Sequence, residues 1–232
     1  MSLYTPIARL HSDFPEKFGL PRQSGLVSSL KSYIFFEPKY RIREAFRGLE
    51  EYSHIWIIWE FSRSKDKEWS PTVRPPKLGG NKRMGVFATR SPFRPNPIGL
   101  SAVRLEKIDF DCPDAPVLTV SGCDIMDNTP VLDIKPYLPY ADAYPDALSG
   151  FALTEKEGSL SVEFPLELLE RIPYEKRQGL TEILKQDPRP AYQSDPERAY
   201  AMEFGEAEVH FRVRENILTV IDVTSKTEYK KC

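Results

Sequence analysis

The sequence is poor in cysteine and histidine and has no long apolar run. Its three cysteines, at positions 112, 123 and 232, are odd in number and form no C-x-x-C pair, so they predict neither a disulfide framework nor a zinc site. No stretch approaches the ~20 apolar residues that a membrane-spanning helix needs. The N-terminal residues MSLYTPIARLHSDF lack the charged region and apolar core of a signal peptide. We therefore expect a cytoplasmic protein with reduced cysteines.

A dinucleotide-binding fingerprint is also absent. None of the 12 glycines stands in a G-x-G-x-x-G pattern, so a Rossmann-type cofactor site has no support in the sequence. Gly79-Gly80 lies instead in residues 65–83, a polar stretch punctuated by proline that predicts a long exposed loop. Its basic residues form either a patch for phosphates or a solvated face. They are Arg74, Lys77, Lys82 and Arg83.

Positive charge is scarce in the second part of the chain. The net charge is −2, which argues against a general nucleic-acid binder. Residues 1–136 hold 20 lysines and arginines against 16 aspartates and glutamates, whereas residues 137–232 hold 12 against 18. The segment YLPYADAYPDA has the composition of a linker, so we expect a domain boundary near 137–150. Any RNA contact should then involve mainly the first part.

The most informative stretch is residues 84–101, MGVFATRSPFRPNPIGLS. An apolar run at 86–88 indicates the end of a strand, and prolines follow at 92, 95 and 97. Each proline fixes its own φ and holds the preceding residue out of the helical region, so we predict a stiff loop that connects two strands. Arg90 and Arg94 on such a loop suit bidentate binding of a planar or anionic ligand. A rigid surface loop whose arginines face water is the alternative.

Apolar patterns elsewhere predict mostly strands. The predicted strands span 4–10, 30–36, 53–64, 98–103, 102–110, 116–125, 131–137 and 159–165. Helical spacing is predicted for 42–52, 166–172 and 174–186, and 206–226 predicts a β-hairpin that turns at Glu215-Asn216. His54 lies at a predicted strand end, and we interpret it as a structural hydrogen-bonding residue. Asp133 and Lys135 lie on one face of another predicted strand, where they can form an ion pair.

The string GVFATRSPFRPNPIGLS, with FPEKFGLPRQ at 14–23 before it and DIMDNTPVLDIKPY at 124–137 after it, resembles the TsaA-like family. The resemblance covers roughly residues 3–140 and extends to DPRPAY at 187–192, a marker of the longer bacterial members. Characterised bacterial members are tRNA N6-methyltransferases that act on threonylcarbamoyladenosine beside the anticodon. Members usually have glycine where this chain has Asn128, and many have a histidine where it has Ser62-Arg63.

The resemblance implies a mainly β fold with some α structure. We expect a small antiparallel β-barrel methyltransferase domain over residues 1–140 and a smaller C-terminal α+β domain over 141–232. It further implies an S-adenosylmethionine-dependent enzyme with tRNA as its substrate. From the stiff, basic loop we expect cofactor binding without a metal requirement. It also implies a C2 homodimer in which a neighbouring subunit completes the site.

The family's binding sites carry over onto particular residues of this chain. The residues implied for the cofactor are Pro21, Arg22, Gln23, Ser62, Arg63, Arg90, Leu100, Asp127, Asn128, Thr129 and Pro130. Those implied for the substrate are Arg94, Asn96, Lys135, Tyr137 and Tyr192. No residue identifies itself as a general base, so the catalytic residues stay open.

Methyl transfer from a sulfonium mainly requires alignment of the nucleophile, the methyl carbon and the sulfur. We expect Arg90 to bind the cofactor carboxylate, Leu100 to form an apolar wall for adenine, and the Asp127 turn to accept positive charge near sulfur. Arg94, further out on the loop, should meet an RNA phosphate or the substrate's carboxylate. Two alternatives remain: a non-catalytic β-barrel module that binds nucleotide or RNA, and an interaction protein whose proline loop binds a partner.

Overall fold

The computed structural model describes residues 4–64, 68–153, 159–189 and 195–225. Its strands are β1 (Ala8–His11), β2 (Lys31–Phe36), β3 (His54–Glu60), β4 (Thr72–Val73), β5 (Met84–Gly85), β6 (Ile98–Asp109), β7 (Val117–Ser121), β8 (Thr129–Pro136), β9 (Ser161–Glu163), β10 (Tyr200–Phe204), β11 (Ala207–Arg214) and β12 (Ile217–Ser225). Its α-helices are α1 (Pro139–Asp142), α2 (Leu166–Leu169) and α3 (Tyr174–Lys185). Short 3-10 turns occupy Pro38–Tyr40, Arg43–Phe46, Leu49–Glu51, Ser62–Ser64, Pro76–Leu78, Val86–Ala88 and Gly150–Leu153.

Six strands close into an antiparallel barrel in the order β1-β2-β7-β6-β3-β8. The alternation of β3 explains its place in the barrel, because Ile55, Ile57 and Trp59 are buried while the residues between them are half-buried. Such β-branched and aromatic residues fit a pleated, half-buried surface. Closure removes free strand edges, and apolar side chains fill the interior. The predicted small antiparallel barrel is confirmed.

The C-terminal part is a four-stranded sheet, in the order β10-β11-β12-β9, with short helices. The hairpin of β11 and β12 turns at Glu215-Asn216 as predicted, and β9 runs parallel to β12. On α3, Leu180, Ile183 and Leu184 are buried at helical spacing, so this helix packs one apolar face into the core of the sheet. The α+β class expected for this part is confirmed.

The core of the C-terminal sheet includes residues from the N-terminal part of the chain. Phe14, Val27 and Leu30 are buried in the same cluster as Met202 and Phe211. Two backbone hydrogen bonds also hold this region. Gly205 N–H donates to Asp13 O and Asp127 N–H donates to Phe14 O, each at a distance of 2.8 Å. Residues 14–24, which we call the 14–24 segment, therefore lie between the barrel and the sheet.

Two local predictions were wrong. Residues 42–52 form two 3-10 turns instead of a helix, because Gly48 takes a left-handed conformation with φ 86° between them and the preceding Arg47 is extended. Residues 86–88 are a 3-10 turn and not a strand end. Both the N–H and the hydroxyl of Thr89 donate to Val86 O, which turns the chain after β5.

Within the described ranges, no helix is both long enough and apolar enough to cross a membrane.

Candidate active site

A cleft of about 710 Å³ lies at the end of the barrel where β3 ends and β6 and β8 begin. Strand register brings these ends together, because Glu60 pairs with Ile98 and Trp59 pairs with both Gly99 and Val131. Stretches within residues 17–24, 56–64, 89–102 and 124–129 line the cleft, with Tyr137 and Asp142 at one side. Segments far apart in sequence therefore meet at one site.

Arg90 connects the proline loop to the 14–24 segment. Its Nη1 donates a hydrogen bond to Gln23 Oε1, and Gln23 Nε2 donates to Arg22 O at 2.6 Å. Arg22 in turn donates to Asp187 O at 3.3 Å, which ties this side of the cleft to the end of α3. On the opposite edge, Arg63 Nη2 donates to Pro15 O at 2.5 Å. Arginine side chains thus fix both edges of the 14–24 segment.

Arg94 stabilises the proline loop itself. Its Nη1 donates to Thr89 O at 2.7 Å and to Val86 O at 3.4 Å, and its guanidinium lies 5.9 Å from the centre of the exposed Phe87 ring. The loop is also anchored just after the end of β3, where Phe61 N–H donates to Pro97 O at 2.8 Å. A guanidinium has five N–H donors, so these bonds leave capacity for a ligand in the cleft.

A hydrogen-bonded chain of three side chains forms the floor of the cleft. Trp59 Nε1 donates to Ser101 Oγ at 3.0 Å, and Ser101 Oγ donates to Asp124 Oδ1 at 2.6 Å. Gly99 makes room for the indole, because a Cβ at this position would lie 2.2 Å from Trp59 Cε2. Burial raises the pKa of Asp124 above its ordinary value, while bonds from Ser101 and from backbone N–H groups, and the nearby Arg90 charge, oppose that rise.

The turn that contains Asp127 is held from the side of β1. Asp127 Oδ1 accepts a bond from Ser12 N–H at 3.1 Å and lies 3.1 Å from His11 Nδ1. The next residue, Asn128, has φ 58°, as its tolerance of left-handed geometry predicts. Arg9 Nη1 donates to both the carbonyl and side-chain oxygens of Asn128 at 3.2 Å. The turn is therefore fixed before any ligand binds.

Most of the residues implied for binding by the resemblance line this cleft. They are Pro21, Arg22, Gln23, Ser62, Arg63, Arg90, Leu100, Asp127 and Thr129 from the cofactor set, and Arg94 and Tyr137 from the substrate set. Asn96, Asn128, Pro130 and Lys135 lie outside the lining. Lys135 Nζ bonds Asp133 Oδ2 at 2.9 Å, so the predicted pairing of these two residues is confirmed. Tyr192 lies outside the described residues.

Sequence reasoning missed Trp56, Trp59, Ser101 and Asp124 as cleft or floor residues. The strand pattern of β3 indicates that Trp59 is buried, but only the register with β6 shows that its indole reaches Ser101. His54 is bonded to Ser53 at 2.9 Å, which agrees with its structural interpretation. Among the described residues, no cluster of three His, Cys, Asp or Glu side chains has the arrangement of a metal site.

The cleft combines guanidinium groups, carboxylates and apolar walls. Ser64 Oγ, which also lines it, is buried and has no hydrogen-bond partner within the described ranges. A buried hydroxyl without a partner costs free energy, so a polar ligand atom at this position would be stabilising. This donor set fits a zwitterionic ligand that carries an aromatic group.

The chain is similar to known proteins along most of its length. The family described as tRNA-methyltransferase O N-terminal domain matches residues 9–143, and the TrmO C-terminal domain matches residues 157–226. The chain is 43% identical over 218 residues to the tRNA (adenine(37)-N6)-methyltransferase of Escherichia coli, covering 90% of this chain and 92% of that protein. It is 42% identical to a putative S-adenosylmethionine-dependent methyltransferase, RcsF, of Pseudomonas aeruginosa, covering 94% and 96%. A crystal structure of TrmO from Pseudomonas aeruginosa has a TM-score of 0.78 at 33% identity, covering 97% of this chain and 100% of that one.

Proposed function

The chain belongs to the tRNA-methyltransferase O family, and from this membership we propose that it methylates N6 of adenosine 37 in tRNA with S-adenosylmethionine as the methyl donor. The substrate form that we propose is adenosine already carrying a threonylcarbamoyl group on N6. The observation that supports this proposal best is the cleft at the barrel end, where most of the residues expected to bind cofactor come together. Fold and family alone would not place the chemistry in the molecule.

The described residues fit S-adenosylmethionine. Arg90, fixed by Gln23, has donors for the methionine carboxylate, and Asp127 supplies negative charge near a sulfonium or an ammonium. Leu100 and Ile98 are exposed apolar side chains in the cleft lining, where an adenine ring can cover them. The buried Ser64 hydroxyl provides a further polar contact. When bound, the cofactor supplies an electrophilic methyl group on a sulfonium whose thioether leaves readily.

The proline loop orients the ligands with little loss of entropy. Its prolines and the Arg94 bonds to its own carbonyls fix the backbone before binding, so positional freedom is already reduced when substrate arrives. We assign Arg94 the substrate's threonyl carboxylate or an RNA phosphate, with Tyr137 beside it in the lining. Asn96 and Lys135, which lie outside the cleft lining, are proposed as further tRNA contacts, and so is Tyr192.

We propose a C2 homodimer that works in the cytoplasm, with residues 1–140 and 141–232 as its two domains. Phe87, on the proline loop, is a large apolar side chain that is 74% exposed and lies outside the cleft lining, and a second subunit would cover such surface. Light scattering at micromolar concentration tests the assembly. A fully active species at the monomer mass of 26.7 kDa would contradict it.

Methyl transfer is tested with purified protein, S-adenosylmethionine and tRNA from cells that lack this chain. Mass spectrometry of the digested tRNA should show a gain of one methyl group on the threonylcarbamoyladenosine nucleoside. Methylation of plain adenosine 37 would contradict the substrate form, while binding of both ligands without transfer would favour a non-catalytic module.

The two arginines separate the binding roles. Arg90→Lys keeps the charge but loses the planar fork, which at a bidentate site costs about 1–3 kcal/mol, so it should weaken cofactor binding about 5- to 150-fold and leave tRNA affinity nearly intact. Arg94→Lys should do the reverse. Calorimetry with cofactor and filter binding with tRNA measure both, and parent-like values for both variants would refute the assignment.

A further inference from the structure

One ionisable side chain in the cleft floor has no part in the binding scheme above. Asp124 lines the cleft, but the scheme above, in which Arg90 binds the cofactor carboxylate and Asp127 meets one of its positive charges, gives it no role. The nucleophile at N6 carries one proton that the methylated product lacks, so the reaction must release it. The site therefore requires an acceptor for a proton, and the binding scheme provides none.

The hydrogen bonds around Asp124 orient its carboxyl group. The Trp59 indole N–H can only donate a hydrogen bond, so the Ser101 hydroxyl oxygen is its acceptor. The hydroxyl proton of Ser101 is therefore directed to Asp124 Oδ1. A backbone N–H of Ser24 also reaches the carboxyl group. A carboxylate has about four acceptor positions, so it retains capacity for a donor from the cleft.

We propose that Asp124 is the general base of the reaction and accepts the N6 proton of the substrate adenosine, an inference that rests on the proposed methyl transfer. The bond between N6 and the methyl carbon forms while the methyl–sulfur bond breaks, and the electron pair of the broken bond stays on the thioether sulfur. The N6 proton moves to an oxygen of Asp124, which leaves the methylated nucleoside neutral. Water then removes the proton from the carboxyl group.

The surroundings of Asp124 make it a stronger base than an exposed aspartate. Burial raises the pKa of its carboxyl group. The neighbouring Cys123 is buried, its pKa is raised to about 12, and its thiol is therefore neutral. Other charged groups, from all the segments that line the cleft, share it with Asp124. They are Lys17, Arg22, Glu60, Arg63, Arg90, Arg94, Asp127 and Asp142.

Asp124→Asn is the primary test, because it preserves the side-chain size and an oxygen that can accept the Ser101 bond. Single-turnover methyl transfer should fall about 10²- to 10⁴-fold, the usual contribution of a positioned general base. The dissociation constant for S-adenosylmethionine, measured by calorimetry, should change less than about threefold, as expected for a group that the binding scheme does not use. Asp109→Asn, at the far end of β6, is the matched control and should keep parent activity.

Ser101→Ala tests whether Asp124 acts as the base, because the pH–rate profile would not respond to the pKa of a purely structural aspartate. Removing this donor destabilises the carboxylate form, so the pKa of Asp124 should rise. The carboxyl ¹³C resonance of Asp124 in the ligand-free protein should titrate at higher pH than in the parent. The rising limb of the pH–rate profile should move in the same direction.

Each outcome decides the proposal. A parent-like rate for Asp124→Asn, or loss of cofactor binding in that variant, would overturn it. In Ser101→Ala, a shifted Asp124 resonance together with an unshifted pH–rate profile would also overturn it. The Ser101→Ala variant provides this test even if Asp124→Asn does not fold. If the parent protein itself transfers no methyl group, the proposed function fails instead, which is a distinguishable result.

Discussion

Replacing Gly19 with alanine should disrupt the contact between the 14–24 segment and the C-terminal sheet. Gly19 has φ +86°, and a Cβ at this position would lie 2.0 Å from Met202 Sδ and 2.6 Å from Met202 Cγ. Met202 is fully buried, so its side chain has little space to move away. The segment cannot easily retreat either, because the adjacent Phe18 ring stacks on Phe211 at 6.3 Å and on Tyr200 at 6.4 Å.

The expected cost has two parts. A left-handed backbone conformation costs a residue with a Cβ about 1–2 kcal/mol. Forcing an extra methyl group into a packed core costs about 1–3 kcal/mol. Gly19→Ala should therefore lower the free energy of unfolding by about 2–5 kcal/mol. Gly25→Ala is the matched control, since Gly25 has φ +80° but nothing within 4 Å of its ideal Cβ, and it should lose only about 1–2 kcal/mol.

Urea unfolding of the parent and both variants measures the difference, and calorimetry with S-adenosylmethionine measures its effect on the cleft. Because the 14–24 segment carries Pro21, Arg22 and Gln23 into the lining, Gly19→Ala should also weaken cofactor binding more than Gly25→Ala does. Met202→Ala should be less costly in the Gly19→Ala background than in the parent, because the clash is relieved. Equal losses for the two glycine variants, within about 0.5 kcal/mol, would refute the reasoning.

Three further predictions follow from single contacts. Gly99→Ala should displace the Trp59 indole, break its bond to Ser101 and lower the unfolding free energy by about 1–3 kcal/mol, with a change in tryptophan fluorescence; an unchanged spectrum would contradict this. Cys123, whose pKa is raised to about 12 by burial, should resist iodoacetamide at pH 8 in the folded protein while the half-buried Cys112 reacts, as peptide mass mapping would show. The parent should lose stability relative to Asp124→Asn as pH rises from about 4 through the raised pKa of Asp124, because only the parent must then bury a carboxylate. Urea melts measure this difference in unfolding free energy, and a difference that does not change with pH would contradict the prediction.

The strands of the barrel were predictable because their pattern is local. The alternation of apolar residues in β3 and the proline spacing after Thr89 each restrict the backbone without help from distant residues. The failure at 42–52 has the opposite cause. Its apolar spacing suits a helix, but Gly48 adopts the left-handed conformation, and tertiary contacts of Phe46 with Phe36 and Phe110 stabilise the 3-10 turns instead.

The floor of the cleft could not be predicted from sequence, because it depends on strand register. Trp59 and Ser101 lie 42 residues apart, and Asp124 is a further 23 residues along the chain. Nor does the sequence show that the 14–24 segment packs into the C-terminal core, since its prolines and Gly19 indicate only a loop. Most of the residues that the resemblance implied for binding lie in the lining, but their mutual contacts follow from the closed barrel.

The position of the cofactor is tested most directly by a crystal structure of this protein grown with S-adenosylhomocysteine, the product of the methyl donor. Electron density for the nucleoside should occupy the cleft at the end of β3, with its carboxylate at Arg90 and with Ser64 and the Asp127 turn in contact. Density elsewhere, for example in the separate cavity of about 380 Å³ beside His11, Tyr33 and Lys176, would contradict the assignment. A saturating concentration that left the cleft without density would contradict it equally.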